Sequence, residues 1–133
     1  MLKKITISAL IMLVILCLAV YKMYNKPHKN IAKSKPDVQI THDKLVNAFI
    51  ADEDKANAQY LDKVVEVTGP IVKITNEENK TIISLGKGDL FGNIDCHMSV
   101  DNKNLVVGEK VTIKGVCTGY LMNVVLVRCV LKN

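Results

Sequence analysis

Three cysteines near the end of the chain, Cys96, Cys117 and Cys129, are the side chains with the widest choice of chemistry. Such thiols can form disulfides, bind metals, act as nucleophiles or pack as small apolar groups. A metal site needs converging ligands, but the sequence has no C-x-x-C pair, and Cys96 and His97, as neighbours in a strand, face opposite ways. No basic group is placed to activate a thiolate. Metal binding and thiol catalysis are therefore not expected.

The spacing of Cys117 and Cys129 predicts a disulfide instead. A hairpin that turns near residues 120–123 would bring these two cysteines to neighbouring cross-strand positions, close enough to bridge. In a small exported domain, a bridge that closes a short loop adds about 2 to 4 kcal/mol of stability. The alternatives are a bridge that involves Cys96 and a core that contains three reduced thiols.

The elements that would carry these cysteines follow an N-terminal segment of different composition. After Lys3 and Lys4, residues 5–21 form a stretch of seventeen residues without a charge, which corresponds to roughly 25 Å of helix. We expect residues 1–22 to be an uncleaved single-pass membrane anchor or a signal segment. A cleaved signal peptide and a lipoprotein signal at Cys17 are the alternatives, although neither cleavage motif is well formed.

The positive charge of the chain belongs to its first part. Residues 1–36 hold seven lysines and no acid, whereas residues 37–133 carry eleven Lys and Arg against thirteen Asp and Glu, a net charge of −2. Residues 23–40, with scattered lysines and two prolines, have the composition of a basic linker that lies near acidic lipid headgroups. Lysines flank the apolar segment on both sides. By the positive-inside rule the heavier second flank would hold the domain in the cytoplasm, whereas the short N-terminus that ends in lysines favours export. We therefore expect the domain to face the periplasm or the cell exterior.

The folded domain is predicted over residues 41–133, and it begins with a helix. Leu45, Phe49 and Ala56 recur near helical spacing, and Thr41 can cap the first turn. The pattern predicts one amphipathic helix over residues 42–59.

Strand patterns occupy the rest of the domain, which is therefore mainly β. Apolar and polar residues alternate in five β-branched segments, and Gly69 with Pro70 predicts a bulge or sharp bend in the first and longest of them. Five strands of this length form a small barrel, and their order, with a longer gap after the third, is typical of the OB-fold, a Greek-key barrel. The segments are residues 63–75, 80–85, 91–100, 109–120 and 123–131.

The same region carries a family resemblance. It contains the stretches "DEDKANAQYLDKVVEVTGPIVKI", "IDCHM" and "LVVGEKVTIKGVCTGYLMNVVLVRC". These stretches are similar to the tRNA_anti-like group of bacterial OB-fold proteins, and the resemblance covers about residues 45–132. It implies a small exported or membrane-anchored OB-fold protein with remote similarity to anticodon-binding domains. It implies no established activity.

The predicted function is a non-catalytic binding or interaction module tethered to the membrane. No histidine, acid and nucleophile come together in the sequence pattern, so we expect neither an enzyme nor a cofactor. The expected partners are the membrane, through residues 5–21, and an unidentified envelope protein or glycan. The candidate contact residues lie near the strands and loops that form the binding face of an OB-fold, and they are Tyr60, Phe91, His97 and Tyr120.

Single-stranded nucleic-acid binding is the alternative function, since OB-folds often bind oligonucleotides. Barrels of that kind combine a basic groove with stacking aromatic rings. This domain has a net charge of −2, no tryptophan, and only Phe91 and Tyr120 near the relevant strands. The composition therefore disfavours nucleic acid as the partner.

Overall fold

The computed structural model describes residues 2–25, 30–77, 80–100 and 104–132, with side chains from residue 8 onward. This part of the chain contains three helices and six strands. In chain order they are α1 (Leu2–Tyr24), β1 (Val38–Thr41), α2 (His42–Ala51), α3 (Glu53–Tyr60), β2 (Val64–Glu77), β3 (Lys80–Leu85), β4 (Ile94–Met98), β5 (Lys110–Leu121) and β6 (Asn123–Leu131).

Five of the strands close into a barrel. β2, β3, β4, β6 and β5 are neighbours in this order, and β2 also pairs with β5, which closes the sheet. β4 and β6 run parallel, whereas the other neighbouring pairs of the barrel are antiparallel. This is the strand order of the OB-fold, so the predicted fold and its five strands are confirmed.

β2 is the strand that bends around the barrel. Its first half pairs with β5 and its second half with β3, and the register with β3 shifts between Ile71 and Lys73. The predicted irregularity at Gly69 and Pro70 therefore lies close to the observed one. A Cβ at Gly69 would come within 2.9 Å of the His42 ring, so the glycine lets the start of α2 pack against the strand.

The core fills the barrel and continues beneath α2 and α3. Phe49 of α2 is almost completely buried, and its ring lies between two tyrosines. Because these side chains recur at helical spacing, one face of the helical segment covers the end of the barrel. The buried residues of this cluster are Leu45, Val46, Phe49, Ala56, Tyr60, Val65, Val67, Ile71, Ile83, Leu85, Ile94, Cys96, Val111, Ile113, Cys117, Val124, Leu126 and Cys129.

The predicted single helix over residues 42–59 is two helices in the structure. Asp52 has an extended backbone, with φ −162°, and separates α2 from α3. Its carboxylate accepts a hydrogen bond of 3.0 Å from the backbone N–H of Lys55, which caps α3. Aspartate prefers this position to a helix interior because it satisfies a free N–H of the first turn. Thr41 occupies the N-cap position of α2 but makes no side-chain capping bond.

The second half of the segment predicted as a linker, residues 23–40, packs on the barrel. Ile31 is 4% exposed and joins an apolar cluster on the outer side of β2 and β5. The Nζ atom of Lys114 donates hydrogen bonds to the carbonyls of Ala32 and Ser34, at 3.1 and 2.8 Å. β1 follows and pairs in parallel with β2. The sequence prediction missed β1, which is only four residues long and owes its strand conformation to this pairing.

α1 is helical over the predicted N-terminal segment, and its described apolar side chains are exposed. Across the described residues, no helix has both the length and the apolar character needed to cross a membrane. The predicted transmembrane segment over residues 5–21 is therefore not confirmed.

Candidate ligand-binding groove

A groove of about 510 Å³ runs along the outer face of β2, β3 and β4. Strands in these positions, together with the loops at the ends of the barrel, form the face with which OB-folds bind extended ligands. The turn between β5 and β6 closes one end of the groove through Asn123. Its lining residues are Val72, Lys73, Thr75, Glu77, Ile82, Ser84, Gly88, Asp89, Leu90, Asn93, Asp95 and Asn123.

Asp95 is the centre of a hydrogen-bond network in the floor of this groove. The Ser84 hydroxyl donates to Asp95 Oδ1 at 2.7 Å, and Asn123 Nδ2 donates to Asp95 Oδ2 at 2.9 Å. Ser84 and Asp95 are directly paired across β3 and β4, which is why their outward side chains meet. Both carboxylate oxygens are thus held in fixed directions.

Asn93 extends the network into the loop that follows β3. Its backbone N–H donates to Asn123 Oδ1 at 3.1 Å, and its Nδ2 donates to the carbonyl of Asp89 at 2.7 Å. Its Oδ1 atom is buried and has no hydrogen-bond partner within the protein. A Cβ at Gly86 would collide with this oxygen, so the glycine makes room for it. The network therefore fixes the loop against the turn at one end of the groove.

The charge of the groove is acidic. Among the described lining residues there is one basic side chain, Lys73, against three carboxylates, Glu77, Asp89 and Asp95. The same set contains no aromatic ring. The groove therefore offers fixed acceptors and negative charge, and it lacks the basic and aromatic surface with which single strands are usually bound.

The structure separates the four contact residues predicted from the sequence. Tyr60 and Tyr120 lie on either side of Phe49, with ring centroids 6.0 and 5.9 Å from its centre, at the end covered by the helices. His97 lies on β4 opposite Ile82, beside the groove but outside its lining. Phe91 is 61% exposed in the loop after β3. The four side chains do not form one surface.

A smaller pocket of about 150 Å³ lies between α2 and the loop that contains Phe91. Asp43 Oδ1 lies 3.0 Å from Lys87 Nζ and 3.3 Å from His42 Nε2. The hydrogen bond from Lys87 lowers the pKa of Asp43, with the charges of His42 and Lys87 acting in the same direction and burial opposing them. The Nε2 atom of His42 is buried and forms no hydrogen bond. The interaction that fixes the loop to α2 is therefore the ion pair between Lys87 and Asp43.

The predicted bridge between Cys117 and Cys129 is not supported, because all four cysteines are free. Register shifts between β5 and β6 place Cys117 opposite Leu126, while Cys129 lies beside Met98 of β4. Cys96 instead forms a hydrogen bond with Cys129. This hydrogen bond and burial raise the pKa of Cys96 well above its ordinary value. Burial also raises the pKa of Cys117.

Metal-ligating side chains do not cluster in the described part of the chain. In residues 2–25, 30–77, 80–100 and 104–132, no three His, Cys, Asp or Glu side chains are close enough together to hold a metal ion.

Sequence comparison identifies the family. The profile of the tRNA_anti-like family matches residues 1–131, nearly the whole chain. The chain belongs to the tRNA_anti-like family. No curated protein matches its sequence.

A solved structure resembles this tRNA_anti-like protein in fold. It is a lipoprotein of Klebsiella pneumoniae subsp. pneumoniae, provisionally assigned as nucleic acid-binding. The TM-score is 0.58 and the identity 17%, and the match covers 82% of this chain and 100% of the other. At this identity the likeness shows the fold alone.

The residues that build the groove were not predicted from the sequence. Ser84 and Asp95 occupy outward positions of strands that were correctly predicted, and Asn123 begins the last strand. The sequence feature that could have indicated the groove is the presence of polar side chains at outward positions of neighbouring strands. Their meeting depends on the pairing of β3 with β4, and Asn123 reaches them because β6 runs parallel to β4.

Proposed function

We propose that this tRNA_anti-like protein is a non-catalytic binding module of the cell envelope, associated with a membrane through α1. Its ligand occupies the groove on β2, β3 and β4. The observation that carries the proposal is the network of Ser84, Asp95 and Asn123, which holds fixed acceptor groups on the face that OB-folds use for ligands.

The charge of the groove indicates the chemical class of the ligand. Three carboxylates and one lysine favour a ligand with basic or neutral polar groups and repel phosphates. The open, elongated shape suits an extended chain. We therefore propose that the ligand is an extended segment of an envelope protein with basic side chains.

The N-terminal helix supports the membrane association. Between Leu10 and Met23, eleven of its fourteen residues are exposed large apolar side chains, and the series is interrupted by Cys17, Ala19 and Lys22. A surface of this kind is unfavourable in water and favourable in the acyl region of a bilayer. The seven lysines of residues 1–36, without any acid, would add attraction to anionic lipids.

Single-stranded nucleic-acid binding is the second candidate. The observation that favours it is the fold likeness to a protein with that provisional assignment. In this chain the ligand would have to lie along the same face, where Lys73 is the basic residue of the described lining. Affinity that rises steeply as salt is lowered would be its signature.

Fluorescence anisotropy of the full chain in detergent micelles tests the two candidates. The probes are fluorescein-labelled hexalysine and a fluorescein-labelled dT oligonucleotide of fifteen residues. The variant Glu77→Gln with Asp89→Asn removes two groove charges without breaking the Ser84–Asp95–Asn123 bonds. The variant Glu53→Gln with Asp54→Asn removes the same two charge types from α3 and is the matched control.

We expect hexalysine to bind, and the groove variant to weaken it roughly fivefold, which corresponds to about 1 kcal/mol. The control variant should change the affinity much less. Equal weakening in both variants would show that net charge, rather than the groove, attracts the probe. Tight oligonucleotide binding without hexalysine binding would establish the second candidate and reject the first.

A further inference from the structure

Four large apolar side chains project from two neighbouring loops at one end of the barrel. Leu90 and Phe91 belong to the loop after β3, Leu121 is the last residue of β5, and Met122 is the single residue that connects β5 to β6. They are exposed by 89%, 61%, 81% and 61% in that order. We call these four residues the tip patch.

The two loops are fixed to each other. The N–H of Gly92 donates to the carbonyl of Met122 at 3.4 Å, and the N–H of Asn93 donates to Asn123 Oδ1 at 3.1 Å. Met122 adopts a positive φ of 67°, which makes the turn tight. The loops therefore present the tip patch as one preformed surface.

An exposed patch of this kind indicates a partner. Isolated apolar residues on a surface are ordinary, but several large ones that project together mark sites of protein or membrane contact. Ile50 of α2 is also exposed and lies near Gly92, so the apolar surface extends from the loops onto the helix. Exposed apolar side chains at loop tips suit insertion into a lipid interface.

The connection between α1 and the barrel is short. α1 ends at Tyr24, and Ile31 is already buried against the barrel. Seven residue steps separate the two, which span at most about 25 Å when fully extended. Lys114 fixes the chain immediately after Ile31. A membrane that holds α1 is therefore within reach of the barrel surface.

We propose that the tip patch inserts into the interface of the membrane with which α1 associates, so that the barrel has two points of attachment. This inference rests on the membrane association in the proposed function. Leucine, phenylalanine and methionine gain more from the interface than smaller side chains do.

The other end of the barrel provides the matched control. Val106 and Val107 are exposed in the loop before β5, but their side chains are smaller. Two-point attachment through the tip patch keeps this end in water. Two variants, each with one indole at a different end of the barrel, therefore show which end contacts the lipid.

The absence of tryptophan makes the test direct. Phe91→Trp and Val107→Trp each introduce a single indole into the full chain, which is reconstituted with phosphatidylethanolamine and phosphatidylglycerol vesicles with and without brominated acyl chains. Co-sedimentation reports membrane association, and quenching by bromine reports the depth of the indole. We expect bromine to quench Phe91→Trp roughly threefold more than Val107→Trp.

A third variant tests the patch itself. Leu121→Glu in the Phe91→Trp chain should reduce the quenching by roughly half or more, because it places a charge in the inserted surface. Co-sedimentation without selective quenching of Phe91→Trp, or stronger quenching of Val107→Trp, would overturn this inference and leave the membrane association standing. Failure of the unmodified full chain to co-sediment would overturn both.

Discussion

Gly115→Ala should destabilise the barrel because the space beside Gly115 is occupied by Cys129. A Cβ at position 115 would lie 2.5 Å from Cys129 Sγ, 3.2 Å from the carbonyl oxygen of Val127 and 3.3 Å from Leu126 Cβ. Cys117 and Cys129 are both fully buried in this region, so the sulfur has no solvent-filled space into which it can move.

The expected penalty follows from overpacking. Adding one methyl group to a close-packed core costs typically 1 to 3 kcal/mol, and the contact with sulfur is far shorter than a normal one. We expect a loss of about 2 kcal/mol in the free energy of unfolding. For a domain of this size, that loss lowers Tm by about 10 °C.

A double-mutant cycle with Cys129→Ala identifies the cause. The single change Cys129→Ala should cost about 1 kcal/mol, because it removes a buried sulfur and leaves a small cavity. It also removes the atom that the Cβ of Gly115→Ala would meet. The double variant should therefore be more stable than the sum of the single effects predicts, by about 1 kcal/mol.

The assay is thermal and denaturant unfolding of the full chain in micelles, followed by circular dichroism, for the four members of the cycle. Single effects that add within about 0.5 kcal/mol would refute the reasoning. In the register predicted from the sequence, a bridge between Cys117 and Cys129 would place Gly115 opposite Leu131. Gly115 and Cys129 would then not be in contact, and the effects of the two substitutions on stability would be additive. The cycle is thus a test of the strand register in solution.

Three further outcomes are expected. Asp52→Ala should lower stability by about 1 kcal/mol and Tm by about 4 to 8 °C, whereas Asp52→Asn, which keeps a capping oxygen, should change both much less in the same unfolding assay. Lys87→Ala should raise the pKa of Asp43 in an NMR titration, and an unchanged titration would exclude the ion pair. Because burial raises the pKa of Cys117, its stabilisation is complete below the pKa of an unfolded thiol, about 8.5, and is lost as pH rises further. Tm should therefore fall above that pH, with a shallower fall in Cys117→Ala than in the control Cys17→Ala, and equal slopes would contradict the assignment.

The strands could be predicted because their signal is local. Alternating apolar residues give each strand one buried face, and the pattern survives whatever the strand pairs with. β1 was missed for the opposite reason, since its four residues are held by the pairing with β2. The break at Asp52 was missed because apolar periodicity continues across it, while the carboxylate prefers to cap the next helix.

The candidate contact residues show the limit of predicting sites by residue type. Tyr60 and Tyr120 are aromatic and lie close to the barrel, but both pack against Phe49 because the helices cover that end. The polar side chains of the groove were not predicted as contact residues, because serine, aspartate and asparagine are common at exposed strand positions. They form a candidate site because strand pairing places Ser84 and Asp95 within hydrogen-bonding distance.

The cysteines show how sensitive side-chain contacts are to register. The sequence placed all three inward, and the structure confirms that Cys96, Cys117 and Cys129 are buried. The observed neighbours of these cysteines differ from the predicted ones, because irregularities in the pairing of β5 with β6 change the register of the two strands. A shift of this size leaves the inward face intact and changes every neighbour across the strand pair.

The mainly β class, the five barrel strands, the inward direction of the thiols and the family could all be predicted from the amino-acid sequence, because they depend on periodicity and local residue patterns. The packing of the segment before β1 and the acidic groove could be seen only in the tertiary structure. The tertiary structure also decided which thiols meet. Each of these depends on contacts between residues far apart in the chain, and their geometry is set by strand register and by the closure of the barrel.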